Sequence, residues 1–327
     1  MITHSHEKYI RDSINGVLSQ NFKYDLKLLI SDDFSPDDTA LVVNSFKDHL
    51  NFNWIQYYKH GANKGMMQNF LWTLDKCESK YIAICEGDDY WTDPYKLQKQ
   101  VDFLEANPEY VACFHDVETL DKNGRLVNDY VLKVPESHET IYDIAQNGNF
   151  IHTPSVVFRN VIETFPQEFY SSPIGDFYLY MLLAAKGKFY YMNESMAVYR
   201  CDVGTFSILD AKVKSLKFNQ CIFLIWHYYK DINSKVAEIL FNRLWIYIKN
   251  SNSLNAIDEV LNIYPVKKDK TLAEWLFQLE DVHKAKLVEE GKNQINIFLR
   301  HSSIIFLCKV IFYKIRTGVF FGLKNSS

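Results

Sequence analysis

Three carboxylates stand within four residues at Glu86-Gly87-Asp88-Asp89, directly after the apolar run Tyr81-Ile82-Ala83-Ile84-Cys85. That run has the length and β-branched content of a buried strand, so the acids crowd a strand end. Like charges this close raise one another's pKa, and a fold that keeps them together calls for a cation to neutralise them. Oxygen ligands around a glycine suit Mg²⁺ or Mn²⁺, hard ions that take few carboxylates and leave positions free for phosphate oxygens. A second reading is an acidic turn leading into the next helix, with Asp93 of Thr92-Asp93-Pro94 as its cap. Ligands bind at strand ends in open α/β sheets, which favours the metal reading for Glu86, Asp88 and Asp89.

Two other sites pair an acid with a turn. Asp32 and Asp33 follow Leu26-Lys27-Leu28-Leu29-Ile30 and open an Asp-Asp-x-Ser-Pro segment, which reads equally as turn chemistry or as a nucleotide contact at a strand end. Asp176 follows Ser172-Pro173-Ile174-Gly175 and starts a helix, either as its N-cap or as a general base facing a cleft. His4 and His6 have no third ligand at suitable spacing and are read as exposed or packed. Trp91 is the one aromatic residue singled out as a stacking surface for sugar or base.

The elements that must position these groups alternate. A helix is predicted over 8–20, with Ile10, Ile14, Val17 and Leu18 on one face, then a strand at 26–30 and a helix turning Leu41, Val42 and Phe46 inward. A strand at 54–58, the loop Gly61-Ala62-Asn63-Lys64-Gly65 and a helix carrying Met67, Phe70, Leu71 and Leu74 come next. Beyond the acidic turn the pattern predicts a helix over 96–107, a strand at 110–115, a hairpin turn at 121–125 and strands at 155–159, 188–192 and 196–200. A helix is also predicted over 176–185, and residues 131–150 are expected to be exposed and partly mobile. Alternating strands and helices imply an α/β fold with a mostly parallel sheet covered by helices. Helical periods dominate from residue 211, which places a boundary near 208–214 and two domains, 1–210 and 211–327.

At 327 residues, with 47% hydrophobic and 23% charged, the chain is long enough for one large core or two smaller ones. A net charge of -4 argues against nucleic acid as a partner. Six cysteines without CxxC spacing read as reduced thiols in a cytoplasmic protein. Met1-Ile2-Thr3-His4 runs straight into polar residues, so no signal peptide is expected, and no uncharged stretch reaches the roughly 20 residues of a spanning helix.

In order and spacing, these pieces resemble family 2 glycosyltransferases of the GT-A (Rossmann-like) fold over roughly residues 1–208, especially bacterial enzymes of cell-surface polysaccharide assembly. The resemblance implies an inverting transfer of sugar from a nucleotide-sugar, such as a UDP-sugar, to a glycan or lipid-linked acceptor. It places Thr3 and Glu7 in the segment after the first strand, Asp32 and Asp33 on base and ribose, and Asn63 and Gly65 in an Asn-x-Gly element. The family's DxD motif looks like Glu86-Gly87-Asp88 with Asp89 adjoining, Asp88 being the direct ligand of Mn²⁺ or Mg²⁺. Its catalytic acidic pair resembles Gly175-Asp176, with the first acid missing and the base kept. Its Tyr-Arg segment and closing loop match Tyr199-Arg200 and the residues that follow, with Asp202 in place of a metal-facing His. Two alternatives stay open, a catalytically silent sugar-nucleotide-binding relative and a nucleotidyltransferase. In residues 297–324, Ile304, Ile305, Cys308, Ile311, Phe312 and Ile315 recur at helical spacing with Lys309 and Arg316 on another face. That pattern fits either a helix packed on the catalytic domain or peripheral contact with the cytoplasmic face of a membrane.

Overall fold

Short apolar runs alternating with 3.6-residue periods build two sheets with helices laid against them. The structure is a computed structural model and describes residues 1–121, 123–127, 133–201, 203–250, 259–260 and 262–263. The elements, in chain order, are β1 (Ile2–Thr3), α1 (Ile10–Leu18), β2 (Leu28–Asp32), α2 (Thr39–Asn44), β3 (Ile55–Lys59), α3 (Met66–Asp75), β4 (Tyr81–Ala83), β5 (Tyr90–Trp91) and α4 (Lys96–Ala106). They continue with β6 (Tyr110–Leu120), β7 (Leu126–Val127), α5 (Ile141–Asn147), β8 (Val157–Arg159), α6 (Gln167–Tyr170), α7 (Gly175–Ala184), β9 (Lys188–Arg200), α8 (Ala211–Tyr229) and α9 (Ser234–Asn250).

The first sheet is wholly parallel in the order β1-β2-β3, with Thr3 opposite Asp32 and Asp32 opposite Lys59. The second runs β4-β8-β6-β9-β5 with β7 paired to β6. Its one long parallel pairing, β6 with β9, shifts register between His115 and Val117, and its remaining pairings are antiparallel. Strands predicted separately at 188–192 and 196–200 are therefore one strand, bent where it passes β6.

α1 buries Ile10, Ile14, Val17 and Leu18, as its period requires. Of the residues expected inward around α2, Phe46 is buried and Val42 packs on the core, but Leu41 is exposed and Val43 is buried in its stead. Within 131–150 stands α5, begun by a capping box in which Thr140 and Asp143 exchange hydrogen bonds with each other's backbone N–H groups. α8 packs on α6 and α7, and α9 packs on α5 and α8. The change from sheet to helix near residue 210 falls within a compact unit that runs from Met1 to Pro265. The segment 297–324 lies outside the described residues. Among the described residues no helix is long and apolar enough to cross a membrane, and Cys77, Cys85, Cys113 and Cys221 are free thiols.

Candidate active site

After β4 the chain turns sharply, and oxygens of Glu86, Asp88 and Asp89 lie within 4.8 Å of one another. Gly87 makes the turn possible. Its N–H donates to Ile2 O at 3.0 Å, and a Cβ there would stand 2.6 Å from Thr3 Oγ1, so only glycine lets the acidic loop lie against β1. Burial, then the charges of Asp88 and Asp176, push Glu86 up to about 8. Burial, then the charges of Asp88 and Glu86, push Asp89 well above the usual carboxylate range. Asp89 Oδ1 accepts from Arg200 N at 2.9 Å, whereas its buried Oδ2 has no protein partner. An orphaned buried oxygen inside a repelling triad is the donor set a small divalent ion fits.

Arg200 is fixed beneath this loop. Its guanidinium donates to Asp88 O and, at 2.6 Å, to Asp12 Oδ2, and it lies 4.7 Å from the Tyr90 ring centre. Gly204 lies so near Asp88 that a Cβ added there would be 3.1 Å from Oδ2, which brings the segment after β9 over the acids. Asp202 lies outside the described residues. His6, set aside in the sequence, stands beside the triad: Nε2 is 4.0 Å from Asp88 Oδ2, and Nδ1 meets Thr3 Oγ1 at 3.2 Å. Thr3 is buried and orients this imidazole.

Around the ends of β1 and β2 the predicted residues come together, but they face one another. Asp32 is fully buried, accepting from Ser35 N at 2.7 Å and from Tyr57 Oη at 2.6 Å. Asp33 accepts from the N–H groups of Lys64 and Gly65 at 2.7 and 2.9 Å, and Asn63 Oδ1 also accepts from Gly65 N. The Asp33 carboxylate thus pins the 61–65 loop, while that of Asp32 holds the turn after β2 against Tyr57 of β3. Glu7 Oε2 accepts from Asp38 N at 3.0 Å, serving the turn into α2. Backbone strain marks the same edge: Ser5 and Phe34 have φ of 60° and 62°, values uncommon outside glycine, and the Phe34 ring is exposed.

Asp176 is the second residue of α7, whose N-cap is Ile174, so the N-cap reading is not met. Its Oδ1 accepts from Phe177 N and its Oδ2 from Asn149 Nδ2, both at 2.7 Å. Burial pushes Asp176 up, and the bond from Asn149 opposes that. Gly175 stands where the first acid is missing: a Cβ there would be 2.9 Å from the Phe70 ring, so packing against α3 occupies that acid's space. Trp91 departs from expectation. It is buried in the core, donating from Nε1 to Pro154 O at 2.9 Å with Lys96 Nζ 4.3 Å from its ring centre, and offers no face to a ligand.

The sequence model described as "Glycosyl transferase family 2" matches residues 1–165. An uncharacterized Mycobacterium tuberculosis protein is 33% identical over 202 residues, 61% of this chain and 57% of its own length. The GalNAc(5)-diNAcBac-PP-undecaprenol beta-1,3-glucosyltransferase of Campylobacter jejuni is 27% identical over 210 residues, 61% of this chain and 62% of its own. The chain thus spans less than two thirds of these relatives. Among solved structures, Staphylococcus aureus TarS 1–349 in complex with UDP-GlcNAc superimposes with a TM-score of 0.58 at 17% identity, covering 85% of this chain and 77% of that one. The shared architecture is the GT-A fold.

Proposed function

The chain belongs to glycosyl transferase family 2, and on that footing we propose that it transfers a sugar from a UDP-sugar to a hydroxyl of a glycan or lipid-linked acceptor, with inversion. One observation carries the reading: at the end of β4 oxygens of Glu86, Asp88 and Asp89 lie within 4.8 Å of one another, with a buried oxygen of Asp89 that no protein group satisfies. The relatives agree with it, since TarS is known in complex with UDP-GlcNAc and the Campylobacter enzyme is named for an undecaprenol-linked acceptor.

Glu86, Asp88 and Asp89 would hold Mn²⁺ or Mg²⁺, which when bound neutralises charge growing on the leaving diphosphate. Arg200 sets the Asp88 backbone, and Thr3 aims His6 at the same edge. Asp33 acts through the loop it pins, so that Asn63 and Gly65 wall the nucleotide end, while Asp32 fixes the turn from which Phe34 offers its ring to the base. As the acceptor oxygen bonds the anomeric carbon, the bond from that carbon to the diphosphate breaks and the acceptor proton passes to Asp176. A carboxylate raised by burial takes that proton more readily than an exposed one. A lipid-linked acceptor would bring the enzyme to the cytoplasmic membrane surface, in cell-envelope polysaccharide synthesis.

Release of nucleoside diphosphate across a panel of donors, with and without Mn²⁺, tests the reading. Metal-dependent UDP release that rises with a glycan or polyprenol-linked acceptor is expected. UDP binding without release from any donor would instead identify a silent relative, and pyrophosphate release a nucleotidyltransferase.

A further inference from the structure

Asp176 is held from one side by Asn149, and Asn149 follows a turn built against a helix beyond residues 1–165. Gly148 ends α5 with φ 87° and ψ -157°, a conformation that side chains rarely allow. The space is closed as well: a Cβ there would stand 2.6 Å from Arg243 Nη2 and 3.0 Å from Phe218 Cζ. Arg243 reaches in from α9. Its Nη1 donates at 2.8 Å to Ala145 O, one of the terminal carbonyls that α5 leaves without a helical partner. Its guanidinium lies 5.4 Å from the Phe218 ring centre, and Phe218 of α8 stacks on Phe177 at 5.3 Å, the residue next to Asp176. Both sides of Asp176 therefore lean on α8 and α9.

We propose that Asn149 and Arg243 are positioning residues for the general base: α9 clamps the Gly148 turn through Arg243, and the turn aims the Asn149 amide at Asp176 Oδ2. This rests on the reading of Asp176 as the base. A neutral amide suits the task. It fixes the carboxylate's orientation without cancelling its charge, and each carboxylate oxygen keeps a second lone pair for the proton. An angstrom of misplacement at such a group is enough to slow a reaction on the order of 100-fold. α8 and α9, beyond the family-matched half, thus belong to the catalytic apparatus through the contacts that hold Asp176 in place.

The test uses the full chain, UDP as binding probe with Mn²⁺, and turnover of the fastest UDP-sugar in the donor panel. Asn149→Ala is expected to lower kcat by roughly 10- to 100-fold with UDP affinity unchanged, and Arg243→Met to do so more weakly, with recovery in Arg243→Lys. Adding Asn149→Ala to Asp176→Asn should cost nothing further, because both act through one carboxylate. An independent loss in the double variant, or UDP affinity falling in step with kcat, would overturn the positioning role. If Asp176→Asn itself keeps its turnover, the base reading fails, and this inference falls with it for that separate reason. A crystal structure of Arg243→Met reads the clamp without any donor. Asn149 Nδ2 is expected to leave hydrogen-bonding range of Asp176 Oδ2, and a contact still at 2.7 Å would overturn the link to α9.

Discussion

Burial, and after it the charge of Asp88, pushes Glu86 and Asp89 upward, and replacing Asp88 with Asn removes the second of these causes. Stability without metal should therefore hold or rise, while Mn²⁺-dependent UDP binding should fall at least tenfold if Asp88 is a ligand. Calorimetry of UDP with Mn²⁺, beside thermal unfolding of the apo form, checks both; unchanged affinity would remove Asp88 from the metal site. Asp176→Asn should keep UDP affinity and lose about 10²- to 10⁴-fold in turnover, since an amide keeps the shape but cannot take the proton. A kcat within tenfold of wild type would move the base elsewhere. Glu86 gives a pH test. Its carboxyl sits near 8 when folded and near its ordinary 4.5 when unfolded, so between these values the folded state binds more protons and stability falls as pH rises. Unfolding followed at pH 5.5 and pH 8 should show that loss without metal, and Glu86→Gln should shrink it; equal slopes in the two proteins would exclude Glu86 as its source. At this scale the acids of the site were legible as residue types at strand and helix ends. His6 and Asn149 were not, because each acquires its role from a neighbour distant in sequence, Asp88 for one and Asp176 for the other.

Elements that a hydrophobic period defines were readable, and those set by local hydrogen bonding or distant packing were not. α1 and α3 show their buried faces in the sequence, whereas α5, at 7 residues, is too short to show a period and was marked mainly by Thr140-x-x-Asp143, a box closed by Asp rather than the commoner Glu. β9 reads as two strands because its middle residues, Asn193 to Ser195, are exposed, and the bend there appears only from the pairing with β6. α4 hides the largest exception. Lys96, its first residue, is wholly buried, donates from Nζ to Gln100 Oε1 at 2.8 Å, and is drawn down to about 7 by burial. Above that value the unfolded chain binds more protons at this lysine than the folded one, so its contribution improves as pH rises, and the charged form is the costly one below it. Lys96→Met, which keeps the apolar stem's volume, is expected to raise the melting temperature by several degrees at pH 6 and by less at pH 9. An equal gain at both values would show that packing, not a buried charge, separates the two proteins.

Charge is distributed unevenly over the whole chain, which carries a net -4 yet has no acidic residue after Glu290. Beyond that point Lys292, Arg300, Lys309, Lys314, Arg316 and Lys324 accompany the apolar repeat from Ile304 to Ile315. The sequence pattern sets apolar residues at helical spacing among basic ones, the composition of a surface-binding segment, and carries too much charge to span a bilayer. Each basic residue near an anionic surface contributes on the order of 1 kcal/mol, screened over about a Debye length, so attachment should be strong at low salt and weak at high salt. A catalytic unit served by a lipid-linked acceptor gains from being held at the same surface, which joins the tail to the proposed reaction. Flotation of the full chain with liposomes containing phosphatidylglycerol is expected to carry it upward in low salt. In high salt it should return to the bottom, and a chain ending at Glu290 should stay there under both conditions while keeping UDP binding. Co-flotation of the shortened chain would assign the membrane contact to residues before 291, and failure of the full chain to float at low salt would leave the apolar face to pack against protein.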